Sequence, residues 1–519
     1  MTTKTDVIIV GAGPTGLSLA VQLIRYNIPF VIFDRQETIT DLSKALVVHA
    51  RTLEIYEQVG LAQKAVEGGQ ILQKSDLISG GKVRGSLDFT DVGTQLSAFP
   101  FFLIFEQSKN ERLLYDYLQH HGKDVLWQTE MESLKQDANG VTVVTTTNGE
   151  TQTIEAKYLV GCDGASSPTR HFLNLAFEGS TNPRRFYVAD VELDYQGDRT
   201  SMDLCFGHNS FMLMLPMQEE KQWRFIGNLP EYNEQRSNEI TYREIEAKVR
   251  ELIQRPLTVE NVNWFSSYKV HTRHARQFSV GRCFLAGDAA HVHTPAGGQG
   301  MNTGIQDAYN LAWKIAMVLR GNADSSLLES YNEERLANAK RLLQTTDTAF
   351  AAMTGSQWYS RFFRDKIMPS LAIVTGFDKT KEIIFPIISQ IGINYHDSSL
   401  SDHHGDRNTV KAGDRMPYFL QNGENIYHKL KTPKFHLLVF SDGCDRHDLR
   451  SEVAEYGDWI DVRVIPLTPQ VVEIFGVDKS FMVLLRPDNY IALSGNICLK
   501  NLQAYFERVR GDRLKASQK

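Results

Sequence analysis

The apolar and polar positions at the start of the chain switch between the strand and helix periods. Residues 6–10 (DVIIV) and 30–33 (FVIF) predict two short buried strands, and apolar residues at helical spacing between them predict a helix with one buried face. The loop 11–16 (GAGPTG) precedes this helix, and Asp34 follows the second strand, 18 positions after the last glycine. This is the spacing of a dinucleotide fingerprint, in which pyrophosphate lies on the helix N-terminus. Asp34 would accept a hydrogen bond from a ribose hydroxyl, and its charge disfavours a 2′-phosphate.

A second unit of strand, glycine-rich loop and helix begins at Cys283. The strand delivers Asp288 into the loop, and a helix with one buried face begins near Met301. Its N-terminus offers unpaired N–H groups and a positive dipole end, which suit a negatively charged or electron-rich ligand atom. A nicotinamide enzyme has no need of a second loop so far along the chain to hold its cofactor, so the two loops together favour FAD over NAD.

Four further segments of the chain have patterns of their own. An apolar strand from Tyr158 ends in Gly161, Asp163 and Gly164, a third candidate cofactor element. Short strand-like runs between residues 186 and 268 predict an inserted antiparallel sheet, whose apolar and aromatic residues could line a substrate cavity, although core packing is the commoner role for any one of them. Helical spacing follows to about Gly392, and from about Lys411 a new α/β unit begins.

Composition and charge exclude several classes of protein. The chain has 519 residues, of which 23% are charged, and a net charge of −6. It therefore lacks the excess of basic residues that is typical of a protein that binds nucleic acid. Its apolar runs are shorter than the roughly 20 residues that span a bilayer, and the first is too short for a signal peptide. Five cysteines without a CxxC pair are typical of the reducing cytoplasm. His291 and His293 form an HxH pair, but without a third ligand at suitable spacing we predict no metal site.

The chain resembles the class A flavoprotein monooxygenases, the group of para-hydroxybenzoate hydroxylase and phenol hydroxylase. The three segments that carry the resemblance are GAGPTG at 11–16, CDGASSPTR at 162–170 and GDAAHVHTPAGGQGMN at 287–302. The resemblance implies an α/β fold with a Rossmann-like FAD-binding domain in two parts, an inserted antiparallel-sheet substrate domain, a helical linker and a C-terminal thioredoxin-like α/β domain. The expected boundaries, in chain order, are 1–180, 181–275, 276–345, 346–400 and 401–519. A redox role for the last domain is not expected, because only Cys444 follows its first strand.

The resemblance also implies which residues bind FAD. The candidates are Gly11, Gly13, Thr15, Gly16, Asp34, Arg35, Lys44, Arg51, Gln107, Asp163, Asp288, Pro295, Gly298, Gly300, Met301 and Asn302. Asp288 would hold the ribityl chain, and Asp163 would lie near the flavin in a motif linked to both FAD and the nicotinamide donor. Lys44 stands where many members carry an arginine, which weakens a phosphate role for it. The catalytic base and the residues that recognise substrate are not identified by any motif.

The expected activity is hydroxylation of an aromatic compound, with phenols first among the candidates. NADPH or NADH would reduce FAD and O2 would then form a flavin C4a-hydroperoxide; the nicotinamide would bind transiently, since no second nucleotide fold is visible. The protein would be a cytoplasmic monomer or homodimer. One alternative keeps the fold but oxygenates an antibiotic such as a rifamycin or a tetracycline. A flavin halogenase is a weaker alternative, because the WxWxIP signature of those enzymes is absent.

Overall fold

The computed structural model describes residues 2–90, 92–207, 210–229, 240–294, 296–354, 385–405, 409–443 and 453–511. The strands are β1 Thr2–Lys4, β2 Val7–Val10, β3 Phe30–Phe33, β4 Val47–Val48, β5 Gln70–Leu72, β6 Lys74–Ser79, β7 Lys82–Asp88, β8 Phe102–Ile104, β9 Thr129–Gln136, β10 Val141–Thr147, β11 Glu150–Ala156, β12 Tyr158–Gly161, β13 Phe177–Asp194, β14 Ser201–Phe206, β15 Phe211–Pro216, β16 Gln222–Leu229, β17 Thr258–Ala275, β18 Ser279–Val280, β19 Cys283–Leu285, β20 His291–Val292, β21 Asp402–His404, β22 Leu420–Gln421, β23 Glu424–Asn425, β24 Phe435–Ser441, β25 Ile460–Pro466, β26 Phe481–Leu485 and β27 Ile491–Gly495. The helices are α1 Pro14–Arg25, α2 Ala50–Glu57, α3 Ala62–Glu67, α4 Gln107–His120, α5 Pro168–Phe172, α6 Tyr242–Ile253, α7 Gly300–Leu319, α8 Glu329–Thr354, α9 Pro469–Phe475 and α10 Leu499–Arg510.

A five-stranded sheet of order β18-β19-β12-β2-β3 forms the centre of the first domain. Strands β19, β12, β2 and β3 run parallel, and α1 packs against α7 beside them. The residues of β2 and β12 are all buried, which matches their continuous apolar sequence. Because the strands are parallel, the loops that follow β2, β3, β12 and β19 all lie at the same edge of the sheet. The Rossmann-like domain predicted from the sequence is therefore present.

An eight-stranded sheet of order β20-β17-β13-β16-β15-β14-β6-β7 faces this edge. Six of its strands come from the region between β13 and β20, and the remaining two, β6 and β7, come from residues 74–88, within the range expected for the first part of the FAD-binding domain. Strand β6 joins by parallel pairing with β14, a long-range contact that local periodicity does not reveal. The substrate sheet is therefore wider than the inserted segment alone.

The C-terminal unit contains a mixed five-stranded sheet of order β21-β27-β26-β24-β25, with α9 and α10 packed against it. Strands β24 to β27 lie within the α/β unit predicted to begin at about Lys411. Leu437 and Tyr505 of this unit belong to the same buried cluster as Trp313 of α7, so the unit packs directly onto the FAD-binding domain. Within the predicted linker, α8 reaches Thr354, residues 355–384 lie outside the described ranges, and turns predominate from residue 389 to 400. Cys444 also lies outside them.

Within the described ranges, no helix has both the length and the apolar character needed to cross a bilayer.

Candidate cofactor and substrate site

A cavity of about 840 Å³ opens at the carboxyl edge of the parallel sheet and reaches the eight-stranded sheet. Its walls include residues at the carboxyl ends of the four parallel strands. Gly11, Asp34 and Cys162 directly follow β2, β3 and β12, and Asp288 is the third residue after β19. Ligands of open parallel sheets bind at this edge, outside the carboxyl ends of the strands. Topology therefore brings together segments that are more than 270 residues apart in the sequence.

The three glycines of the first glycine loop, residues 11–16, meet different structural requirements. Gly11 has φ +99°, and a Cβ there would lie 2.5 Å from the Cys162 carbonyl oxygen. A Cβ on Gly16 would lie 1.9 Å from the Gly11 carbonyl oxygen, so the start of α1 packs on its own loop. Gly13 meets nothing within 4 Å and is the N-cap of α1 without a side-chain cap. The N-terminal N–H groups of α1 are thus left for a ligand, as the pyrophosphate of FAD requires.

Asp34 is held by backbone N–H groups of the first glycine loop and of its own loop. Its Oδ2 accepts from the Ala12 N–H at 2.7 Å, and its Oδ1 accepts from the Gln36 N–H at 2.9 Å. Each oxygen keeps a lone pair for another donor. Arg35 and Thr15 also line the cavity. This position agrees with a carboxylate that holds a ribose hydroxyl.

Asp288 projects its carboxylate into the cavity from a short 3₁₀ turn, Gly287–Ala289. Desolvation by the walls of the cavity raises the pKa of Asp288, while His291 and Lys44 oppose that rise. Lys44 and Gln107 also line the cavity. The Gln107 Oε1 accepts from the Ala45 N–H at 3.1 Å, which anchors the segment that carries Lys44.

Asp163 lines the cavity, but both of its oxygens are engaged by the start of α5. Oδ1 accepts from Ser167 Oγ at 2.5 Å and Oδ2 accepts from the Thr169 N–H at 2.8 Å. Burial raises the pKa of Asp163, and these hydrogen bonds act against that rise. The carboxylate therefore shapes the loop beside the cavity, and the neighbouring Gly164 also lines the cavity.

The N-terminus of α7 is the second uncapped helix end at the cavity. Gly298, Gly300 and Met301 line it, and the N-cap Gln299 makes no side-chain cap. Gly298 has φ +63°, a left-handed conformation that favours glycine. These features suit the part of a flavin on which negative charge develops when it is reduced.

Asn302 acts from behind this helix end and does not line the cavity. Its Oδ1 accepts from the His49 N–H at 2.9 Å and from Thr52 Oγ1 at 2.7 Å. Its Nδ2 donates to the carbonyls of Val47 at 2.8 Å and Gly298 at 2.9 Å. All the hydrogen-bonding groups of the carboxamide are used within the protein, so Asn302 positions the loop that carries Gly298.

Two other candidates lie away from the cavity, and one is not described. Arg51 is buried in α2, where it pairs with Glu54 at 3.1 Å, donates to the Asp488 carbonyl at 2.9 Å and lies over the Tyr490 ring. It joins the FAD-binding domain to the C-terminal unit, and this position does not support the expected cofactor contact. Gly16 is needed for packing under the loop, while Pro295 lies outside the described residues.

A buried network behind α7 was not found from the sequence. Asp307 of α7 accepts from Arg335 Nε at 2.6 Å, from His291 Nε2 at 2.8 Å and from the Gly287 N–H at 2.9 Å. The network fixes the turn that carries Asp288 relative to α7. The only signal in the sequence is a charged residue among the apolar positions of a helix.

The eight-stranded sheet supplies an apolar wall. Phe211, Leu213 and Leu215 of β15 line the cavity, whereas Met212 and Met214 face the opposite side and pack in the cluster that contains α6. The period-2 alternation of a strand separates the two sets. The two methionines therefore pack in the core, whereas Phe211, Leu213 and Leu215 belong to the cavity.

Two histidines of the cavity were also missed as candidates for contact with a ligand. His49 Nε2 lies 2.9 Å from the Gly297 carbonyl, and His293 Nδ1 lies 2.7 Å from the Thr294 carbonyl. In each ring the other nitrogen is buried without a hydrogen-bond partner. Burial lowers the pKa of both to about 4, so both rings are neutral near neutral pH. Each ring keeps one nitrogen for a ligand.

Comparison with known proteins agrees with this geometry. Residues 4–346 match the model of the family described as FAD binding domain, more than half of the chain. The chain belongs to this family. It is an FAD-dependent monooxygenase, and the residues of the cavity fit that cofactor because two uncapped helix ends and the Asp34 carboxylate line it.

Full-length relatives support the assignment. The chain is 32% identical to 6-methylpretetramide 4-monooxygenase of Streptomyces rimosus, with 94% of this chain and 90% of the relative covered. It is 30% identical to pentachlorophenol 4-monooxygenase of Sphingobium chlorophenolicum, with 93% of each covered. The solved structure of OxyS anhydrotetracycline hydroxylase from Streptomyces rimosus is 27% identical, with a TM-score of 0.73 over 95% of this chain and 96% of that chain. The resemblance seen in the sequence, the fold and the FAD cofactor are thereby confirmed.

Proposed function

We propose that this protein hydroxylates a phenolic aromatic compound with O2 and NADPH or NADH. The observation that carries the proposal is one continuous cavity, which joins the N-termini of α1 and α7 to the apolar wall of β15. A flat aromatic ring bound against that wall would lie beside the N-terminus of α7. The cavity thus has a polar half for FAD and an apolar half for the substrate.

Bound FAD would supply the transfer of electrons from the nicotinamide to oxygen. The N-termini of α1 and α7 would bind its anionic groups, and Asp34 and Asp288 would orient its sugar chains. Phe211, Leu213 and Leu215 would exclude water from the reacting ring. The neutral His293 ring would offer Nε2 as an acceptor for a phenolic O–H.

The relative that acts on pentachlorophenol supports a phenol as substrate. The anhydrotetracycline hydroxylase supports a larger, polycyclic phenol as substrate. A tetracycline-type antibiotic is therefore the second candidate substrate. Expression in a sensitive host followed by a growth assay on tetracycline distinguishes inactivation of the drug from hydroxylation of other phenols.

The test is to purify the protein, measure FAD released by denaturation, and follow NADPH and NADH oxidation with a panel of phenols. We expect one or more phenols to stimulate oxidation and to gain one oxygen atom derived from isotopically heavy O2. Oxidation that yields only hydrogen peroxide with every phenol and polycyclic compound of the panel would contradict the proposal.

A further inference from the structure

Arg224 is a buried cation on the cavity side of β16. Its Nε and Nη2 donate to the two carboxylate oxygens of Asp190 at 2.6 and 2.7 Å. The guanidinium carbon lies 5.4 Å from the centre of the Trp264 ring. The side chain is fully buried, and its third nitrogen, Nη1, has no hydrogen-bond partner. Buried N–H groups are rarely left without an acceptor, so this nitrogen is suited to a ligand.

The neighbours of Arg224 are apolar on the cavity side. The sheet register places Leu215 of β15 directly opposite it, and Ile226 follows two positions later on the same face of β16. All three residues line the cavity. The bidentate pair with the Asp190 carboxylate holds the plane of the guanidinium in one orientation. Nη1 is thus a fixed donor beside an apolar wall.

The geometry points to Arg224 Nη1 as the donor to an oxygen acceptor on the aromatic substrate, a carbonyl or a carboxylate, which orients that substrate on the eight-stranded sheet. This assignment rests on the proposed aromatic hydroxylation. Because Asp190 already neutralises the guanidinium, the acceptor need not be an anion. The substrate class is therefore a hydroxylated aromatic compound with a second oxygen function.

Binding titrations on the FAD-loaded full-length protein test this without turnover. Three probes share one ring system: 2-naphthol, 6-hydroxy-2-naphthoate and 6-acetyl-2-naphthol, with binding followed by the flavin absorbance. We expect the naphthoate, the acetyl compound or both to bind more tightly than 2-naphthol. Arg224→Gln should weaken the preferred probe about 10- to 100-fold, the usual effect of losing a hydrogen bond to a charged group, and leave 2-naphthol unchanged. Loss for the naphthoate alone identifies a carboxylate, and loss for both identifies a carbonyl oxygen.

Two further variants control for folding. Arg224→Gln combined with Asp190→Asn leaves no unpaired charge in the sheet and should lose the same preference. Arg255→Gln removes an arginine that pairs with Asp203 at 3.5 Å and lines a different pocket, and it should keep the preference. Equal affinity for the three probes in the unmodified protein, no measurable binding of any, or a preference that survives both Arg224 variants would overturn the assignment. The proposed function is judged separately, by oxygenated product.

Discussion

Replacing Asp307 by Asn should destabilise the protein more than any single surface change. The carboxylate is fully buried and accepts three hydrogen bonds, from Arg335, His291 and the Gly287 N–H, at 2.6 to 2.9 Å. Asn keeps the shape of the side chain, but it removes the charge and turns one acceptor oxygen into a donor. Arg335 would then be a buried cation without its anion.

Removing one partner of a buried ion pair destabilises proteins by about 3–5 kcal/mol, against a total stability of about 5–15 kcal/mol. Because the Gly287 N–H belongs to the turn that carries Asp288, FAD retention should fall together with stability. Burial raises the pKa of Asp307, but the opposite effect of Arg335 and His291 is larger, so the pKa lies below the ordinary carboxyl value. The stabilisation is therefore complete above the ordinary carboxyl pKa and disappears as the pH falls through the lowered one.

Urea denaturation with and without added FAD measures the effect. The matched control is Glu246→Gln, which breaks an exposed pair with Arg250 at 2.9 Å and should change the free energy of unfolding by less than about 1 kcal/mol. If Asp307→Asn unfolds within about 1 kcal/mol of the unmodified protein at neutral pH, the network does not hold the loop as argued.

Three other outcomes are expected. Gly16→Ala places a Cβ 1.9 Å from the Gly11 carbonyl oxygen and should abolish FAD retention, measured by the flavin absorbance of the purified protein; full retention would contradict the packing argument. Met212→Ala should lower the free energy of unfolding in urea by about 2–5 kcal/mol without changing which phenols are hydroxylated. Leu213→Ala should change the KM for phenols. The reverse pattern would contradict the assignment of Met212 to the core and of Leu213 to the cavity. Burial lowers the pKa of His293 to about 4 in the folded protein, whereas the histidine of the unfolded chain gains a proton near pH 6.5, so the free energy of unfolding should fall between pH about 6.5 and about 4. His293→Gln should reduce this fall when unfolding is measured as a function of pH. An unchanged pH dependence in the variant would contradict the effect of burial.

Local patterns were sufficient for several elements of the first domain. Continuous apolar runs predicted β2, β3 and β12, and the turn Asn148-Gly149 joins β10 and β11 with φ of +51° and +84°, as a hairpin of this kind requires. Glycine positions predicted the cofactor loop, because only glycine fits where backbone approaches backbone at Gly11 and Gly16. Such information is encoded within a few neighbouring residues.

Other features depend on residues that are distant in sequence. The pairing of β6 with β14 brings residues 74–88 into the substrate sheet. Arg51 matched a family position but is drawn into the contact with the C-terminal unit through the Asp488 carbonyl. In each case a long-range partner decides what the side chain does, and no local pattern reports that partner.

The sequence by itself determined two units of strand, glycine loop and helix N-terminus, the elements that we propose bind FAD, because these follow from local periodicity and from the conformational freedom of glycine. Only the tertiary structure decided which apolar residues belong to the cavity and which to the core, since the two faces of β15 are equally apolar and differ only in what lies opposite them. It also decided that Arg224 has one nitrogen to offer a ligand, because its use depends on the neighbouring strand that supplies Asp190.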